Sequence, residues 1–216
     1  MAELARFGLN IFAACPVEAL PEDLRRELPS GSGGTLCLLG HGGREMWKHL
    51  PHPLNSVEHP IDRFVLEKIA PFEPDVLFPH AERVFPMTRL GRFLNVAAPS
   101  KIGLDIHPVF GPWFAYRAAF LTHQNVVTPA LPSFSSPCES CREKPCIRAC
   151  PVGAVNEGPF NLSKCAEHRL AESTNCLSVC HARAACPVGA EHRYSDEQFA
   201  YHMTRPAHLL RLREYK

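Results

Sequence analysis

The sequence carries almost no net charge: 23 lysines and arginines stand against 22 aspartates and glutamates, a formal balance of +1. That removes the basic excess by which a chain takes nucleic acid or an anionic membrane as its main partner, so neither is expected. No apolar run approaches the ~20 residues of a membrane helix. Nor is a basic start followed by the long apolar stretch of a signal peptide. The expected location is therefore the cytoplasm. Aromatic residues are few, 9% of the chain, with Trp47 and Trp113 the only tryptophans. Before residue 138 there are just two cysteines, Cys15 and Cys37.

What the sequence does have is eight further cysteines packed between 138 and 186, and 21 prolines. Without an export signal, clustered cysteines read as metal ligands rather than disulfides. The proline content predicts a fold rich in turns. At 216 residues and 45% apolar content, the chain suits one compact domain or a domain with a small module.

Along the chain, "FGLNIFAAC" and "TLCLLG" read as strands, "PEDLRREL" as a short helix and "GREMWKHL" as helical. "HPIDRFVLEKI" places Ile61, Phe64, Val65 and Ile69 on one face of an amphipathic helix. "DVLFPH" and "GRFLNVAA" read as strands, and "IGLDIHPVF" and "PWFAYRAAFLT" as a strand pair turning at Gly111-Pro112. The stretch "TPALPSFSSP" separates this body from the cysteines. Beyond it, "SKCAEHRLAES" predicts a helix capped by Ser163, and "SDEQFAYHM" one with Ser195 and Gln198 as a capping box. The expected organisation is a mixed α/β body over 1–130, a cysteine module over 131–190, and a C-terminal helix over 191–216 returning to the body.

Cys-Pro-Val-Gly-Ala occurs twice, at 150–154 and 186–190. The bacterial ferredoxin run is C-x2-C-x2-C-x3-C-P, in which three thiolates wrap one cluster and the fourth ligates the other. In this chain the first run is Cys138, Cys141, Cys146 and Cys150-Pro151, with a middle gap of four residues that contains Pro145. The second is Cys165, Cys176, Cys180 and Cys186-Pro187. Eight cysteines match two 4Fe–4S cubanes. Crossed ligation predicts Cys138, Cys141, Cys146 and Cys186 on one, and Cys150, Cys165, Cys176 and Cys180 on the other. Four-thiolate zinc sites also use short C-x2-C pairs, and disulfides are the third alternative. Cys15 and Cys37 lie in apolar runs and read as core thiols.

In "IHPVFGPWFAYRAAF", Phe110, Trp113 and Phe114 crowd the Gly111-Pro112 turn, and Arg117 stands in an otherwise apolar strand. A buried arginine there needs an anionic partner; a hairpin with a snorkelling arginine fits the same pattern. His41, between Gly40 and Gly42, is a candidate for a loop near a pocket.

"GLDIHPVFGPWFAYRAAFLT" resembles the His-Pro-x-Phe-Gly-Gly-Trp-Phe-Ala-x-Arg stretch of the cobalamin-processing, CblC-type family. "YSDEQFAYHMTRPAHLL" is similar to that family's C-terminal segment, and "FGLNIFAACPVEALP", "TLCLLGHGGREMWKHL" and "HPIDRFVLEKI" to its opening elements. A hairpin followed by a two-cluster module also resembles epoxyqueuosine reductase and the reductive dehalogenases. The resemblance implies an α+β, nitroreductase-like body with a ferredoxin-like insert carrying two 4Fe–4S clusters. It implies cobalamin as ligand, with His107, Phe110, Gly111, Pro112, Trp113, Phe114 and Arg117 as its contacts. It further implies an external electron donor, a homodimer, and an oxidoreductase that reduces cobalamin or removes its upper axial ligand. The CblC-type family has no cluster cysteines and uses its arginine at the Arg117 position to bind glutathione; built-in electron delivery is expected in its place. Two alternatives stand beside this: a ferredoxin-like electron-transfer protein serving a partner enzyme, and a cobalamin-dependent enzyme reducing an organic substrate.

Overall fold

The computed structural model describes residues 2–216 except 55–57, 80–84, 125, 127, 129–130, 206–208, 210–211 and 215–216. His80 of "DVLFPH", residues 129–130 of the Pro/Ser stretch and residues 206–208 and 210 of the C-terminal segment thus lie outside the described residues. The strands are β1 (Ile11–Pro16), β2 (Thr35–Gly42), β3 (Asp75–Phe78), β4 (Ala98–Pro99), β5 (Asp105–Ile106) and β6 (Phe114–Thr122). The α-helices are α1 (Ala2–Arg6), α2 (Glu22–Arg25), α3 (Pro60–Ile69), α4 (Met87–Phe93), α5 (Pro137–Ser140), α6 (Pro145–Ala149), α7 (Leu162–Leu170), α8 (His181–Ala184) and α9 (Asp196–Thr204). Two compact units divide the chain: Met1–Val96 with Phe114–Phe134, and Ala97–Trp113 with Ser135–Lys216.

The first unit is built on a four-stranded antiparallel sheet in the order β1-β2-β6-β3. β2 is buried from Leu36 to Gly42, as its near-continuous apolar run requires of a central strand. α3 begins at Pro60, where a missing N–H costs nothing. It buries the expected Ile61, Phe64, Val65 and Ile69, each worth about 2 kcal/mol of apolar transfer. Between β2 and β6 the register slips: Leu39 faces Ala118 and Gly40 faces Tyr116, leaving Arg117 as the extra residue of a bulge.

Two strand expectations are corrected. "GRFLNVAA" is a strand only at its last residue, Ala98, where β4 begins; α4 runs through Phe93, with Met87, Leu90 and Gly91 buried. Gly91 is needed because a Cβ there would lie 2.0 Å from the Tyr116 hydroxyl. Nor do "IGLDIHPVF" and "PWFAYRAAFLT" pair with each other. β5 pairs with β4 in a separate two-stranded sheet, while β6 belongs to the four-stranded one. The turn survives as a small hairpin closed by reciprocal 2.9 Å bonds between His107 and Gly111.

The second unit gathers 97–113 with the cysteines and the C-terminal residues, so its boundaries differ from a division at 130. α7 is capped by Asn161, whose side chain accepts from the Lys164 N–H at 3.0 Å; Ser163, the expected cap, is already inside the helix. Ser195 caps α9 by accepting from the Gln198 N–H at 3.2 Å, as the sequence predicts. Two apolar clusters organise the unit. One joins Trp113, Tyr194, Phe199 and Met203. The other joins Ile102, Val155 and Ala182, with Cys146, Cys150 and Cys180 packed on it. Among the described residues no helix is long and apolar enough to cross a membrane.

Candidate functional site

The eight clustered cysteines all lie in the second unit. Cys138, Cys141, Cys146 and Cys186 line one cavity, together with Lys101, Ile106 and Val188. The cavity is small, about 20 Å³, and partly open to solvent. Three of these cysteines come from consecutive turns and the fourth from the second Cys-Pro. Ser136 starts the first turn, accepting from the Cys138 N–H at 3.3 Å. The longer middle gap is absorbed at Lys144, which takes a left-handed φ of 40° before Pro145 opens α6. Burial pushes the Cys186 thiol up, and the charges of Cys138, Cys146 and Cys141 push it further. Cys146 is raised by burial, then by Cys138 and Cys141.

The second group shows the same mutual influence. The Cys165 thiol is pushed up to about 11, first by burial and then by Cys180, with Cys150 and Cys176 also contributing. Cys176 is raised by burial, then by Cys180, with Cys150 contributing again. Such thiols disfavour the anionic form needed of a ligand, a situation that a bound cation reverses. Among the described residues no three His, Cys, Asp or Glu side chains converge as ligands of a single metal ion. The first quartet surrounds a space rather than a point. Four soft sulfur donors around such a space are the donor set an iron–sulfur cluster takes. Cys15 and Cys37 lie in the other unit's sheet, where burial pushes their thiols up to about 11 and about 12.

The hairpin that ends at Trp113 is interlocked with the second Cys-Pro-Val-Gly-Ala. Gly111 has φ 56°, and a Cβ on it would lie 2.0 Å from the Val188 carbonyl oxygen. Gly189 has φ 63°, and its Cβ would lie 2.4 Å from the Phe110 backbone. Gly153, the equivalent residue of the first repeat, also has φ 63° but nothing within 4 Å. The repeat thus shares a backbone shape, and only its second copy supports the hairpin.

Arg183, which follows Cys180 and precedes Cys186, fixes the same turn. Its Nε and Nη2 donate to the Pro112 carbonyl at 3.1 and 2.6 Å. Its guanidinium lies 4.9 Å from the rings of Trp113 and Tyr194. Trp113 is 1% exposed, edge-on to Tyr194 and Phe199, and its Nε1–H is buried with no hydrogen-bond partner among the described residues. A buried orphan donor of this kind fits an acceptor brought by a ligand. His107 Nδ1 accepts from the Val109 and Phe110 N–H groups at 3.1 and 3.2 Å, so its ring proton sits on Nε2. Phe110 touches both His107, tilted at 4.9 Å, and His192, edge-on at 4.8 Å.

In the first unit, Phe114 packs edge-on to Tyr116. Arg117, re-aimed by the bulge, donates from Nε to Nδ1 of His41 at 2.9 Å. His41 is a fully buried residue of β2 rather than part of a loop. The sequence did not single out Arg183 or Arg169. A signal was there for Arg183 in "HARAAC", where the arginine sits among alanines three residues from a cysteine; Arg169, among charged neighbours in "KCAEHRLAES", had none.

No protein-family model matches the chain, and no curated protein matches it. Solved structures do. An epoxyqueuosine reductase with an epoxyqueuosine-modified tRNA-Tyr stem loop aligns with a TM-score of 0.56 and 13% identity, over 92% of this chain and 66% of that one. Epoxyqueuosine reductase from Bacillus subtilis aligns with a TM-score of 0.56 and 13% identity, over 90% and 65%. The chain therefore spans just under two thirds of their length. A C. elegans B12-trafficking protein, CblC, aligns with a TM-score of 0.44 and 14% identity, over 95% of this chain and 89% of that one. The tRNA stem loop in the first of these does not support excluding nucleic acid on the strength of a near-zero net charge. What the likeness establishes is the fold: a mixed α/β chain with an antiparallel sheet, similar to epoxyqueuosine reductase.

Proposed function

We propose that the chain is an iron–sulfur, cobalamin-binding oxidoreductase that reduces cobalamin and removes its upper axial ligand, drawing electrons from an external donor. The observation that carries this reading is the gathering of Cys138, Cys141 and Cys146 with the sequence-distant Cys186 around one cavity, on a loop that also buttresses the 107–111 hairpin. The quartet Cys150, Cys165, Cys176 and Cys180 would hold the second cubane. When bound, the clusters supply single electrons and the corrinoid supplies the cobalt bond chemistry.

The protein's own contribution is positioning. Arg183 and Val188 hold the Gly111-Pro112 turn. The orphan Nε1–H of Trp113 offers a donor to a corrin amide, while its ring is committed to the core. His107, with its proton on Nε2, offers a second donor rather than a cobalt ligand. Phe110 completes the contacts proposed within this unit.

Anaerobic protein reconstituted with iron and sulfide, then titrated with cobalamin, tests both halves. Two cubanes per chain and a shift of the cobalamin spectrum toward the base-off form are expected. Retention of zinc alone overturns the cluster assignment. Full clusters with an unchanged cobalamin spectrum would favour an electron-transfer protein serving a partner enzyme.

A further inference from the structure

The two cysteine quartets differ in the cations that face them. At the first, the exposed Arg193 donates from Nη2 to the Cys186 carbonyl at 3.5 Å, and Lys101 and Lys144 line the cavity. Both lysines reach Glu157, Lys144 through a 2.6 Å ion pair and Lys101 through the backbone carbonyl, at the solvent-facing rim. Their charge is matched by a carboxylate and screened by water.

At the second quartet the cation is internal. Arg169 is 6% exposed and lies one helical turn after Cys165 on α7, so the two share a face. Its Nε donates to the Cys176 carbonyl at 3.3 Å and its Nη2 to the Met203 carbonyl at 2.6 Å. Those bonds fix the guanidinium between the cysteine loop and the end of α9. Burial works against its charge, while Cys165, Cys180 and Cys176, in that order, favour it. Three of the four sulfurs of this quartet thus feel Arg169.

An iron–sulfur site's reduction potential follows its net charge, the hydrogen bonds around its sulfurs and its exposure to solvent. Adding one electron adds one negative charge, which a fixed cation out of water stabilises with little screening. Resting on the iron–sulfur reading above, we infer that Arg169 makes the Cys150/Cys165/Cys176/Cys180 site the easier of the two to reduce, so that an electron entering the chain comes to rest there first. The step takes one electron from a low-potential donor and leaves that site one charge more negative. No proton moves, because the guanidinium already carries the balancing charge.

The test is a potentiometric titration of the loaded, anaerobic full chain with dithionite, followed by electron paramagnetic resonance. Two couples are expected in the unmodified protein, and Cys165→Ser should perturb the higher one; perturbation of the lower one instead overturns the inference. Arg169→Gln should lower the higher couple by at least tenfold in its reduction equilibrium, about 59 mV for one electron, and leave the lower couple in place. Arg169→Lys, which keeps the charge, should restore most of that shift; a merely structural role would not divide the two variants by charge. Couples that both stay fixed in Arg169→Gln overturn the inference while leaving the iron–sulfur reading intact. Fewer than two clusters in the unmodified chain overturns the reading itself. If Arg169→Gln does not load, the unmodified protein decides: raising salt from about 0.05 to about 1 M should leave the higher couple unmoved, and a tenfold fall in its equilibrium overturns the inference.

Discussion

At His107, a ring nitrogen that accepts two backbone N–H groups cannot also carry a proton without breaking both bonds. Burial, and after it the neighbouring His192, lower the imidazole pKa to about 4. The unfolded chain, with the ordinary histidine value of about 6.5, therefore binds more protons than the folded one between those two values. The contribution is present in full above the upper value and is lost as the pH falls through the window. Replacing His107 with Asn should flatten this dependence. Denaturant midpoints measured across the window should show the unmodified chain losing about 3 kcal/mol more than the variant; parallel profiles would contradict the assignment. The histidine was legible in the sequence as part of a His-Pro turn. Its protonation was not, because that depends first on how deeply the folded chain buries the ring and then on His192, 85 positions away, lying beside it.

Among the elements, α8 is only one turn long, yet it carries the arginine that closes on the Pro112 carbonyl. Arg183→Met should leave that carbonyl buried without its charged donors, at a cost of about 2–3 kcal/mol. Arg183→Lys should recover only part of this, since an ammonium cannot deliver two donors from a planar fork against the aromatic rings. Chemical denaturation of both variants gives the comparison, and equal stability of all three proteins would remove the clamp. Elements set by periodicity were readable in advance: α3 from its apolar spacing, β2 from its unbroken apolar run. "GRFLNVAA" was misread because a short apolar run suits a strand as well as a helix. The close approach of Tyr116, on β6, to Gly91 is a tertiary contact that no local pattern displays. The β5–β6 pair failed for a similar reason. Gly111-Pro112 does turn the chain, but β6 leaves toward a different sheet and takes β2 and β3 as neighbours.

Over the whole molecule the chain passes between its two units three times, at 96–97, 113–114 and 134–135. Only the last crossing has a compositional marker, the Pro/Ser stretch, so of the three crossings the sequence suggested that one alone. Unit two is therefore discontinuous. Lys101 and Ile106 line its cysteine cavity, and Trp113 anchors its aromatic cluster, although all three precede the cysteines by a full strand. A fragment of residues 135–216 should accordingly fail to take up iron into both quartets, and adding a 97–113 peptide should restore uptake in part. Iron content and circular dichroism report the outcome; full loading of the fragment alone would contradict this dependence. The interlock of Gly111 with Val188 also carries a consequence for biogenesis. On the proposed reading, a newly made polypeptide presents an unfinished seat for its vitamin until the loop bearing Cys186 has closed on metal. Maturation then runs in one direction, inorganic centres before the macrocycle.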